Sequence, residues 1–203
     1  MTQVNGYEWT DIHYSPHEED VVVFWGGPFS NFVGGPFEIT ADQYWAKNIG
    51  FEYRTIEHFF QASKGINRAA HESVRLHSDP RGAKRMGRRV RLRPDWERLV
   101  PFDGKPMPGF TYAVPASEMF KGKGLTVRAH VPLKYNVMLA GLRVKFAHPD
   151  FRDILLATGK RYIAEDSPTD RVWGIRDPDT GELTGENLLG RALMQIRWEA
   201  LNG

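Results

Sequence analysis

Glu57-His58-Phe59-Phe60-Gln61-Ala62-Ser63-Lys64 is the stretch from which the fold of this 203-residue chain is read. At about 100° per residue a helix brings Glu57, Gln61 and Lys64 into one narrow sector, an acid, an amide and an amine side by side. Phe59, Ala62 and Ile66 point together on the opposite sector. Such a helix can bury one face in a core and present a reactive set on the other. A polar face with Glu before Lys is also the pattern of an ordinary solvated helix. Thr55 suits the cap position, so the spacing predicts a helix over about 55–66.

Upstream, Asp20-Val21-Val22-Val23-Phe24-Trp25 reads as a buried strand ended by Gly26-Gly27-Pro28. Phe37-Glu38-Ile39 and Gly50-Phe51-Glu52-Tyr53 read as short strands of a small sheet. Downstream, Asp79-Pro80 pairs a capping residue with a first-turn proline and predicts a short helix over about 80–88. Asp95 and Trp96, just after Pro94, can open another turn. Residues 101–131 are rich in Gly and Pro and contain Lys121-Gly122-Lys123-Gly124, which reads as an insertion or flap rather than a linker. Pro132 opens a helix over 133–146, stopped by Pro149, and a further helix over about 150–157 ends at Gly159. Tyr162 to Glu165 reads as a strand, 166–170 as a loop and 177–181 as a turn. A core-facing helix over about 187–200 follows, with Asn187 near its cap.

Composition narrows the class. The chain is 41% hydrophobic and 26% charged with a net charge of +2, ordinary for one soluble globular domain over residues 1–203. No apolar run approaches the ~20 residues of a membrane helix. Residues 1–19 are polar and acidic, unlike a secretory signal. The absence of cysteine excludes disulfides, thiol nucleophiles and thiolate metal sites, and fits a cytoplasmic protein. His13 and His17 have the spacing of a helical zinc pair, but Pro16 between them breaks such a helix. The other five histidines offer no second pair at that spacing, and no phosphate-cradling glycine loop is present. The oligomeric state is not legible.

Nine ordered blocks carry a family resemblance. They are Phe29-Ser30-Asn31; residues 57–64; Asp79-Pro80 followed by Ala83-Lys84 and Gly87-Arg88; Asp95-Trp96; Lys145-Phe146; Leu155-Leu156-Ala157-Thr158-Gly159; Glu165 with Ser167 and Asp170; Trp173-Gly174; and Gly185-Glu186-Asn187-Leu188-Leu189-Gly190. In this order they resemble the NADAR or YbiA-like family over roughly residues 22–201. The resemblance implies a single YbiA-like domain of helix-rich α+β class with a small sheet of short strands. It also implies a hydrolase of ribosyl–nitrogen bonds without a cofactor. Some members act on ribosylated intermediates of riboflavin biosynthesis, and others remove ADP-ribose from guanine in nucleic acid. A non-catalytic module holding ADP-ribose or a nucleotide is the alternative. The stretch from Pro101 to Val131 is longer than the family pattern requires and bears on substrate choice.

The residues fit that chemistry. Breaking a ribosyl–nitrogen bond requires charge stabilisation on the sugar, a proton for the departing nitrogen, and a nucleophile at C1. Glu57, Asp170 and Glu165 are carboxylates able to fill the first two roles. Trp96 and Trp173 offer flat faces for a base, although a tryptophan is more often a core filler than a ligand wall. Lys64 can bind phosphate, or attack C1 of an opened sugar as a neutral amine, which requires a dry site that lowers its pKa. The resemblance favours the catalytic role. Glu57, Lys64 and Asp170 are therefore the expected catalytic residues. Ser30, Asn31, Gln61, Trp96, Glu165, Trp173, Gly174 and Asn187 are the expected substrate contacts. Residues 81–93 carry seven basic side chains and no acid, either a solvated edge or a phosphate patch. Lys84 and Arg88 are its expected phosphate ligands. The expected partner is a ribosylated nucleotide or ADP-ribosylated nucleic acid; removal of ADP-ribose from guanine leads, with a riboflavin intermediate close behind.

Overall fold

The computed structural model describes residues 12–13, 21–108 and 130–203. The strands are β1 (Ile12–His13), β2 (Val21–Phe24), β3 (Phe37–Gln43), β4 (Ala46–Tyr53), β5 (Leu99–Pro101), β6 (His130–Pro132) and β7 (Tyr162–Glu165). The helices are α1 (Ile56–Ala62), α2 (Arg68–Arg75), α3 (Pro80–Gly87), α4 (Leu133–Ala147), α5 (Pro149–Ala157) and α6 (Leu188–Asn202). This is the helix-rich α+β class with small sheets of short strands. Most of the 101–131 insertion and the remainder of residues 1–20 lie outside the described residues, as do the side chains of the His13–His17 pair.

Three small sheets surround a helical core. In the first, β1 pairs antiparallel with β2, and β2 pairs parallel with β7, setting Val21 opposite Tyr162 and Phe24 opposite Glu165. That parallel pair joins the beginning of the chain to its last third and carries Glu165 to the sheet's end. The second sheet is the β3–β4 hairpin, longer than the two short segments expected from sequence, with a register irregularity near Gln43. The third pairs β5 with β6. No helix among the described residues is long and apolar enough to cross a membrane.

The centre is α4, whose residues Tyr135, Met138, Leu139 and Leu142 are almost wholly buried. A helix apolar on nearly every side belongs inside rather than on a surface. It packs against α1 and α6. Gly141 permits the first contact, because a Cβ there would stand 2.9 Å from the Phe59 ring and 3.1 Å from Ile56.

The local signals explain most boundaries. The Thr55 side chain accepts from the His58 amide, Asp79 accepts from Gly82, and Pro80 occupies the first turn of α3. One boundary departs from expectation. Helix α1 stops at Ala62 rather than near Ile66, because the following backbone bonds to 91–93 instead. Ile66 donates to the Arg91 carbonyl at 3.0 Å, and the Lys64 carbonyl accepts from Arg93 at 2.8 Å. Lys64 therefore sits just beyond the helix, held from the side.

Candidate active site

Every residue of α1 is buried, including Glu57, His58 and Gln61. The solvated-face reading of residues 57–64 is thereby overturned: the polar sector faces a cavity inside the protein. Glu57 and Gln61 stand one turn apart, and the Gln61 amide donates to Glu57 Oε1 at 2.8 Å. Gly87 lets α3 close over this pair, since a Cβ there would collide with the Gln61 side chain. Lys64 follows, its Nζ 5.1 Å from the Phe60 ring centroid and 5.9 Å from that of Trp96. Its backbone is anchored by the segment ending at Arg93, which is buried, ion-paired through both carboxylate oxygens to Asp95 at 2.6 and 3.0 Å, and bonded to the Ser63 carbonyl.

Distant segments complete the cavity. The Asn31 carbonyl accepts from the Glu57 amide at 2.9 Å, fixing the 30–33 loop to the start of α1. The same loop is gripped from below by Lys145 of α4, which is fully buried and donates to the carbonyls of Ser30 at 2.7 Å and Val33 at 2.8 Å. From the other side, Asp170 Oδ1 accepts from the amides of Val172 and Trp173 at 3.1 and 3.0 Å, which holds its carboxylate at the turn. Trp173 meets Phe60 edge-on with centroids 5.1 Å apart. The result is a cavity of about 120 Å³ that gathers Glu57, Gln61, Lys64, Asn31, Glu165 and Asp170 with Trp173, Phe32, Phe60 and Ser167. Lys84 on α3 and Arg88, which caps the end of that helix, also line it, and Arg88 is exposed. Such a space exceeds several-fold what one water needs.

Burial and crowding set the protonation states. Burial drives the Glu57 carboxyl above its ordinary range, and the Asp170 charge pushes the same way, while Lys84, the Gln61 hydrogen bond and Lys64 oppose. Burial raises Glu165 to about 7, helped by Asp170 and Glu57. Glu57 and Glu165, buried beside the Asp170 charge, cannot both ionise cheaply, so Glu165 stores acid near neutral pH. The Lys64 amine is pushed down to about 8, first by burial and then by Lys84 and Arg88, while Glu57 and Asp170 pull it back up. That is most of the way to the near-neutral value a nucleophilic amine requires.

Not every expected contact reaches the cavity. Trp96 is 4% exposed and stands behind Phe60, centroids 5.2 Å apart, so it backs the wall instead of forming it. Phe32, partly buried, is a further ring that lines the cavity. Asn187 is buried in a left-handed conformation at the head of α6 and makes no capping bond. Its side chain clamps β7 instead, donating to the Ile163 carbonyl at 2.8 Å and accepting from the Glu165 amide at 3.1 Å. Ser30 and Gly174 support the loops from within. Arg93 leaves the basic patch for its ion pair with Asp95. Sequence reasoning passed over Phe32, Phe60, Met138, Ser167 and Leu189 as lining residues. Phe32 had a signal, lying directly after Ser30-Asn31; Met138 and Leu189 look like any core residue on a helix. Among the described residues, no group of three His, Asp or Glu side chains has the arrangement of a metal site.

Carboxyl groups, an amine of lowered pKa and an indole thus meet around one cavity in a helix-rich α+β fold. Comparison with known proteins agrees. Residues 117–201 match the NADAR domain. The N-glycosidase YbiA of Escherichia coli (strain K12) is 30% identical over 174 residues, covering 84% of this chain and 79% of that protein. An N-glycosidase of Nostoc punctiforme is 29% identical, over 87% of this chain and 86% of the relative. The maize chloroplastic riboflavin biosynthesis protein PYRR is 26% identical over 94% of this chain but only 27% of its own longer length. The NMR structure of E. coli YbiA superposes with a TM-score of 0.59 at 28% identity, covering 90% of this chain and 86% of that one. The chain belongs to the NADAR, YbiA-like family.

Proposed function

We propose that the protein is an N-glycosidase that hydrolyses the bond between ribose C1 and the nitrogen of a phosphate-bearing ribosylated base, with ADP-ribose on guanine as the leading substrate. One observation carries the reading: Glu57 and Lys64 from one segment and Asp170 and Trp173 from another line one cavity together with Lys84 and Arg88. In this scheme the sugar lies against Lys64 and Trp173, and Lys84 and Arg88 neutralise its phosphate. Glu57, whose carboxyl pKa burial raises above its ordinary range, gives its proton to the base nitrogen as the C1–N bond breaks and its electron pair moves to nitrogen. Asp170 stabilises the positive charge growing on the sugar and takes the proton of the water that bonds to C1. The products are a free sugar and the N–H form of the base. In the covalent variant, the Lys64 amine adds to C1 of the opened sugar, the base departs with the bonding electrons and Glu57's proton, and water then releases the Schiff base.

A second substrate, a phosphorylated riboflavin-biosynthesis intermediate, is favoured by the size of the cavity, which suits one sugar and one phosphate. The name of the maize relative supports it too. The deciding experiment incubates the protein with ADP-ribosylated guanine DNA and, separately, with the phosphorylated intermediate, and follows sugar release by mass spectrometry. Turnover by the parent, reduced on the order of 10²–10⁴-fold in Glu57→Gln and lost in Lys64→Ala, supports the enzyme. Binding of either compound without turnover replaces it with a nucleotide-binding module.

A further inference from the structure

Phe32 lines two spaces. One is the cavity beside Lys64; the other is a larger adjoining cleft of about 510 Å³, lined by the Gly34–Phe37 turn, Thr55, His148 and Phe151. The cleft has aromatic walls. His148 and Phe151 each pack edge-on against Phe37, with centroids 5.6 and 6.5 Å away. Gly34 lets the Phe151 ring pack directly against the turn that lines the cleft, since a Cβ there would stand 2.6 Å from that ring. At the junction a cation waits: Lys84 Nζ stands 5.8 Å from the Phe32 centroid and also lines the first cavity. An aromatic cleft joined to a sugar-sized cavity through a shared phenyl ring and a lysine matches one kind of molecule, a sugar linked through phosphate to a flat heterocycle.

We infer that the cleft between Phe32 and His148 is a subsite for the second ring system of a nucleoside diphosphate sugar whose reacting ribose occupies the Lys64 cavity. The inference rests on the N-glycosidase reading above and deepens it, because a substrate carrying a single ribose phosphate has nothing to place there. Phe32 then separates the two halves of the substrate, and Lys84 meets the phosphates between them.

Isothermal titration of the full chain with ADP-ribose and with ribose 5-phosphate tests the assignment. The expected result is ADP-ribose affinity at least about tenfold higher, as stacking of one base on aromatic side chains supplies. In His148→Ala and in Phe32→Leu the ratio of the two affinities falls on the order of tenfold. A parent ratio near one, or no binding of either compound, overturns the subsite, and so does an unchanged ratio in both folded variants. Should a variant fail to fold, the parent ratio decides alone. Turnover of a phosphoribosyl substrate separates the two claims. Turnover with a ratio near one removes the subsite and leaves the glycosidase. A high ratio without turnover on any riboside removes the glycosidase and leaves the cleft as a nucleotide site.

Discussion

With its pKa drawn down to about 8, Lys64 is neutral in roughly a tenth of molecules at pH 7, a few hundredfold more than an ordinary lysine. Amine attack is thus within its reach, and the route can be read directly. Sodium borohydride added during turnover should reduce the Schiff base and leave the sugar on Lys64, detectable by peptide mass spectrometry and missing in Lys64→Ala. Continued turnover with no adduct assigns the attack to water. Glu165 supports a second expectation, about stability. Its folded pKa of about 7 lies above the unfolded value near 4.5, so its contribution is fully present below pH 4.5 and is lost as pH rises through 7. Glu165→Gln removes that loss. The limit set by the shift is about 3.4 kcal/mol, reduced to about 2 kcal/mol by the group's partial exposure. Urea unfolding should find parent and variant alike near pH 4.5 and the variant more stable at pH 8; a less stable variant at pH 8 rejects this electrostatic account. Such residue chemistry was partly legible in sequence. The acid–amide–amine spacing of 57–64 was visible, whereas the burial that turns it from a solvated face into a site depends on α3, α4 and the 30–33 loop.

At the scale of elements, α4 shows how a helix read from its two bounding prolines also builds the site. Lys145 stands out in the sequence only as part of the Lys145-Phe146 block; in the fold it is wholly buried with its Nζ over the Phe151 ring and bonded to two loop carbonyls. Burial lowers it to about 7, and even the neutral amine keeps two N–H groups for its two acceptors. The clamp on the Asn31–Phe32 loop therefore persists in either charge state. Lys145→Met keeps most of the volume but takes one donor from the Ser30 carbonyl, which retains the Val33 amide, and the Lys145 donor from the Val33 carbonyl, at a cost of about 2–4 kcal/mol. Thermal denaturation should show a Tm lower by roughly 5–15 °C. Surviving folded enzyme should lose kcat, because Asn31 and Phe32 are no longer held; unchanged Tm and kcat together discard the clamp. The end of α1 teaches the same lesson about range. Helical spacing carried the expectation on to Ile66, but the backbone of 64–66 pairs with 91–93, a contact no local pattern encodes. Caps at Thr55 and Asp79 were legible because they are satisfied within three residues.

Across the whole molecule, the cavity exists because the β2–β7 pair and the Asn187 clamp bring residues 165–173 against α1 and α3. That closure joins segments more than a hundred residues apart, which is why residue types at the site could be read from the chain but their meeting could not. The basic run illustrates the division. Lys84 and Arg88 turn to the cavity and Arg93 is spent on Asp95, leaving Arg81, Arg85, Arg89 and Arg91 exposed beside the site. If the substrate is a modified nucleic acid, these four meet its backbone, whereas a nucleotide-sized substrate does not extend to them. Arg85→Glu combined with Arg89→Glu should therefore raise KM for ADP-ribosylated DNA on the order of tenfold at low salt, with kcat held. The same variant should shift KM for an isolated ADP-ribosylated guanine nucleotide less than about twofold. Each lost phosphate contact should also flatten the dependence of log KM on log salt by about 0.7–0.9, the share one phosphate contributes. Equal effects on the long and the short substrate place the reversed charges within reach of the cavity itself and leave the exposed arginines no part in holding a nucleic-acid strand.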